Sequence, residues 1–135
     1  MAIQLSVAVR NARLDAFETT VGTAAILRIR TGAQPSSCAT ADSGTVLAEA
    51  TLPSDWMAAA SSGSKGLSGT WQDASANAAG TAGHFRIYDA AGTTCHLQGS
   101  VTATGGGGDM ELNNTSIAST QTVTITSFTL TDANA

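Results

Sequence analysis

The sequence predicts an all-β fold, a β-sandwich or barrel preceded by one N-terminal helix. Three observations carry that reading. Charged residues make up only 12% of the 135 positions, and Ala, Thr, Ser and Gly take their place; Thr favours strands and Gly favours turns. Runs of period-two alternation recur between Gly-, Ser- and Asn-rich segments, giving roughly seven short strands. One segment, residues 6–21, has helical spacing instead. The length predicts a single domain, residues 1–135, with about 1–22 as the helical segment and 23–135 as the β-sandwich.

In the helical segment Val7, Leu14, Phe17 and Val21 recur at helical spacing, with Ser6 placed to cap the start and Gly22 to stop the end. Ile3, Leu5, Val7 and Val9 also alternate, so a strand leading into a shorter helix from near Asn11 competes. Residues 25–31 read as a strand with Leu27 and Ile29 on one face and Ile26, Arg28 and Arg30 on the other. Residues 32–44 are loop by composition. Residues 45–52 form the next strand, which Pro53 ends, and Ser54 is placed to cap one short helical turn over 54–60. Residues 66–73 read as a strand with Gly69 marking a bulge or a close approach; residues 74–83 read as loop. Residues 109–114 are a short strand. Residues 122–131 alternate, but Val123 and Ile125 fall out of phase with Phe128 and Leu130, which predicts a bulge near Thr126 or Ser127.

The stretch AGHFRIYDAAGTTCHLQGSV, residues 82–101, holds both histidines and one of the two cysteines. Alternation puts Phe85 and Ile87 on one face and His84, Arg86 and Tyr88 on the other, so a hairpin is expected. Its expected register sets Phe85 opposite Cys95 and His84 opposite His96, with the histidines on a solvated face and Cys95 in the core. Two imidazoles could chelate a metal, but no third ligand is marked by spacing, so no metal is expected. No serine stands in a G-x-S-x-G context, and the run Gly105–Gly108 is not followed by Lys and Ser or Thr. No catalytic residue and no cofactor is expected. Trp56 and Trp71 read as core or interface aromatics rather than a ligand platform.

The net charge of −4 argues against nucleic acid as a partner. Arg10, Arg13, Arg28 and Arg30 cluster in the first thirty residues against Asp15 and Glu18 alone, while Lys65 and Arg86 face the other eight of ten acids. That asymmetry reads either as ordinary solvated surface or as a handle for an acidic partner. No basic region precedes an apolar run at the start, so no signal peptide is expected, and no stretch is long and apolar enough for a membrane span. A cytoplasmic origin follows, with Cys38 and Cys95 expected as thiols and a Cys38–Cys95 disulfide as the alternative.

Three segments, SVAVRNARLDAFETTVGTAAILRIRTG, LPSDWMAAASSGSKGLSGTWQDAS and GTAGHFRIYDAAGTTCHLQGSV, resemble small structural proteins of tailed bacteriophages, of the capsid cement or decoration type. The resemblance implies a jelly-roll-like antiparallel β-sandwich that binds the outside of the head. It implies the major capsid protein as partner, a homodimer or homotrimer on the shell, and no enzymatic activity. A tail or head–tail component and a soluble carbohydrate-binding module are the alternatives. On that reading Arg10, Arg13, Arg28 and Arg30 are the candidate contacts, with Trp56 and Met57 as apolar anchors.

Overall fold

The computed structural model describes residues 3–133; Met1, Ala2, Asn134 and Ala135, the ends of the expected 1–135 span, lie outside the described residues. The elements run α1 (Val7–Val21), β1 (Ile26–Thr31), β2 (Val46–Thr51), β3 (Ser64–Gly66), β4 (Gln72–Asp73), β5 (Gly80–Tyr88), β6 (Cys95–Ala103), β7 (Met110–Leu112), β8 (Ser116–Ile117) and β9 (Val123–Thr131). The helical reading of the N-terminus holds. Ser6 Oγ accepts the Val9 amide at 3.3 Å, and Gly22, at φ 93°, closes the helix with its N–H on Glu18 O.

The strands form one sheet, in the order β2-β1-β5-β6-β7-β9-β3, with β4 also paired to β9 and β8 to β5. Every pair is antiparallel except β6–β7. The sheet curls until Leu27, Ile29, Ala48 and Ala50 of β1 and β2 meet Val123 and Ile125 of β9 across the interior. The end of β4 and the residues after it bridge the gap: Asp73 Oδ2 accepts the Glu49 amide at 2.9 Å and Leu47 O accepts the Asn77 amide at 2.8 Å. The fold is therefore mixed α/β, one helix with a single curled, open half-barrel sheet. This corrects the expected all-β, jelly-roll-like β-sandwich. Alternation marks the residues that face inward, but two facing sheets and one curled sheet bury the same alternate positions.

The phase change in β9 is a bulge. Phe128 pairs with Met110 and Ser127 with Glu111, but Leu112 pairs with Ile125, leaving Thr126 as the extra residue. Other segments depart from expectation. Residues 54–60 make no helical turn; Met57 instead bridges Leu67. The strand expected over 66–73 is broken at Gly69, which turns the chain at φ 72° and has only Pro53 beside it. The segment 74–83 contains the start of β5, which runs from Gly80, and pairs there with β8.

Both tryptophans and all three phenylalanines form one aromatic string. Phe17 of α1 meets Trp56 at 5.7 Å between ring centroids, Trp56 meets Trp71 at 5.7 Å, Trp71 meets Phe128 at 5.4 Å and Phe128 meets Phe85 at 5.6 Å. Each indole also has its N–H satisfied, Trp56 on Gly22 O and Trp71 on Trp56 O and Ser68 O. Burying such rings with their polar edges paired contributes apolar area without an unmade hydrogen bond.

Candidate functional site

The outer face of β5 from His84 to Tyr88 is not wet. Residues 32–44 fold back over it as a roof, and the polar side chains read as solvated are the groups that hold the roof down. Asp42 sits at the centre. Its carboxylate accepts Arg30 Nη2 at 2.7 Å, Arg86 Nη1 at 2.5 Å and Tyr88 Oη at 2.6 Å. Arg86 is almost wholly buried and spends its remaining donors on Ser37 O, Thr40 O and Gln98 Oε1. Gln98 Nε2 donates to Pro35 O at 2.6 Å. Burial pushes the Asp42 carboxyl up, but hydrogen bonds from Tyr88 and Arg86 and the charges of Arg30 and Arg86 outweigh it and hold the group below the ordinary carboxylate value. Tyr88 moves the other way, raised by burial and by its bond to Asp42. Arg28 lies over the Tyr88 ring at 4.7 Å and pairs with Glu49.

The roof also corrects the hairpin. Phe85 stands opposite Gly99 and His84 opposite Ser100, not opposite Cys95 and His96. The connecting loop is longer than expected because Asp89 gathers it, its carboxylate accepting the Thr93 and Thr94 amides. His84 is fully buried, with Nδ1 2.8 Å from Gly32 O; since a carbonyl only accepts, Nδ1 carries the proton and Nε2 is left unpartnered. The backbone of Gly32 reaches this position because Gly83 beneath it has no side chain; a Cβ there would strike Gly32. The two histidines do not form a pair, and among the described residues no group of three or more His, Cys, Asp or Glu is placed to hold a metal. A bulge between Ile87 and Tyr88 turns Cys95 away from the core to the roof side, opposite Tyr88 and beside Cys38.

The helix is attached by polar side chains. Asn11, Asp15 and Glu18 share one face and accept the amides of Gly63, Ala60 and Met57 in turn, at 2.8, 3.0 and 3.0 Å. The buried Lys65 ammonium joins Asp15 at 2.8 Å, Glu18 at 3.0 Å and Ala58 O at 2.9 Å. Burial alone would lower the Lys65 pKa, but its bonds to the two carboxylates raise it. Leu14 and Val21 are the buried apolar residues of α1, with Phe17 partly buried behind them. An open cavity of about 510 Å³ lies alongside, lined by Asp15, Glu18, Thr23, Asp55 and Lys65 among others.

The six residues expected at a partner interface are mostly committed internally. Arg10 donates to Asp132 O; Arg28 pairs with Glu49; Arg30 is buried on Asp42. Trp56 and Met57 are 0% and 1% exposed, in the core rather than at the surface. Arg13 alone of the six keeps a largely exposed side chain, 60% even when paired with Asp132. Among the described residues the large apolar side chains that stand in water are instead Ile3 at 84%, Val7 at 47% and Val9 at 46% exposure. Their alternation in the sequence is the signal for this exposed set, and strand and helix readings of the segment account for it equally well.

No family model matches the chain, and no curated protein or solved structure matches it either. Among the described residues no helix is long and apolar enough to cross a membrane.

Proposed function

We propose that this chain is a non-enzymatic structural protein of a virus particle, a cement or decoration protein that docks on the head of a tailed bacteriophage through its N-terminal arm and first helical turn. The observation that carries the reading is the exposed apolar set Ile3, Val7 and Val9, gathered at one end of the chain. Covering each such side chain contributes on the order of 1–2 kcal/mol. That is modest for one copy and large for a lattice in which every copy touches two neighbours. The resemblance of the three quoted segments to phage structural proteins supports the class. With Arg10, Arg28 and Arg30 engaged inside the chain, the contact is apolar in character and attachment depends only weakly on salt.

The test is co-sedimentation of the purified chain with empty phage shells. Wild type is expected to pellet with shells, and Ile3→Ser/Val7→Ser/Val9→Ser to stay in solution with an unchanged thermal midpoint. Shells carrying the protein should rupture at higher temperature than bare ones. Equal attachment by the triple variant removes the arm from the mechanism. Attachment to tails in place of heads moves the assignment to a tail or head–tail component. The carbohydrate-binding alternative lacks a platform, since Trp56, Trp71 and Tyr88 are all buried.

A further inference from the structure

Cys38 of the roof and Cys95 of the sheet line one cavity between the two. Cys95 opens β6 opposite Tyr88, on the outer face. Cys38 lies in the roof between Ser37 and Thr40, whose carbonyls are both held by Arg86 Nη2, at 2.8 and 3.0 Å. The two thiols line one cavity of about 240 Å³ together with Asp42, Arg86, Tyr88 and Thr93. Both thiols are half-buried and free, and Cys95 Sγ stands 3.5 Å from Leu97 O at the wall of that cavity. The roof is held over the sheet by the Asp42–Arg86–Gln98 bonds, which keep both thiols on the walls of one cavity.

We propose that Cys38 and Cys95 are a covalent modification site, a reversible disulfide that bolts the roof to the sheet when a low-molecular-weight disulfide is present as oxidant. The exchange balances in two steps. The Cys38 thiolate attacks one sulfur of the oxidant, whose S–S bond breaks and releases one thiol. The Cys95 thiolate then attacks Cys38 Sγ in the mixed disulfide and releases the second thiol. The protein loses two electrons and two protons, and the oxidant gains both. Burial, and then contact with Cys38, push the Cys95 thiol up to about 12, which makes Cys38 the entering group. The Arg86 charge beside Cys95 works in the opposite sense and favours the thiolate needed for the second step. The inference stands on the thiol pair and does not depend on the particle assignment.

The experiment equilibrates the full chain with oxidised glutathione, blocks remaining thiols by alkylation and maps the product by mass spectrometry. The expected product is a monomer lacking two hydrogens, with peptides containing Cys38 and Cys95 linked. Its thermal midpoint should lie roughly 5–15 °C above that of the reduced protein and return on adding dithiothreitol. Cys38→Ser leaves the Arg86 and Asp42 bonds in place, and oxidant should no longer shift its midpoint. Two thiols that remain alkylatable, stable glutathione adducts, or disulfide-linked dimers as the end product would each overturn the proposal.

Discussion

Asp42 is where three side chains of the outer face converge. It is the shared acceptor of two guanidiniums, one 2% and one 9% exposed at the side chain, and of the Tyr88 hydroxyl. Asp42→Ala takes the counter-charge from both cations, but the Asp42 side chain is itself 34% exposed and Arg86 keeps Ser37 O, Thr40 O and Gln98, so the expected cost is roughly 1–3 kcal/mol, between the exposed-pair and buried-pair ranges. Arg13→Ala, at an exposed pair, should cost less than about 1 kcal/mol. Urea melts of the two variants compare them directly. The same carboxyl shapes the acid limb. Its folded pKa lies below the unfolded value near 3.9. Its contribution is therefore fully present above that value and is lost as pH falls through the folded one. Stability of the wild type should fall below about pH 4, and Asp42→Asn should flatten that fall while lowering the plateau. None of this was legible from spacing. His84, Arg86 and Tyr88 alternate with Phe85 and Ile87 as the residues of a strand with one wet face do, and composition marks residues 32–44 as loop without saying what the loop covers.

At the scale of elements, α1 is held by its polar ladder as much as by its apolar residues. Glu18 serves two partners, the Met57 amide and Lys65. Glu18→Ala should cost roughly 2 kcal/mol by stranding a buried donor. Adding Lys65→Met, which removes the cation that also lost a partner, should recover part of the loss; a double-mutant cycle on thermal midpoints measures how much. The helix ends were readable because Ser6 and Gly22 are local signals. So was the β9 bulge, because the shift from Val123 and Ile125 to Phe128 lies within one strand. The face that α1 turns to the body was not readable: Asp15 and Glu18 resemble solvent-facing charges until residues 57–63 are brought alongside. The hairpin register failed for the same kind of reason, since Asp89 sets the length of the loop by bonds that the strand pattern does not contain.

At the scale of the whole molecule, strand order is the least local property. β1 lies between β2 and β5, and β7 between β6 and β9, so neighbours in the sheet are set by contacts far apart in sequence. The aromatic string ties these distant parts together. Trp71→Ala removes its middle and is expected to cost roughly 3–5 kcal/mol, with loss of near-ultraviolet dichroism before loss of β signal. The string also gives the protein two internal optical reporters with different views. Phe17 is the helix ring on Trp56, and Phe128 is the sheet ring on Trp71. A chain left with Trp56 alone therefore glows according to whether the helix is seated. A chain left with Trp71 alone glows according to whether the half-barrel is intact. Comparing the two emission curves through a denaturant series would time the departure of one part against the opening of the other, with no dye added.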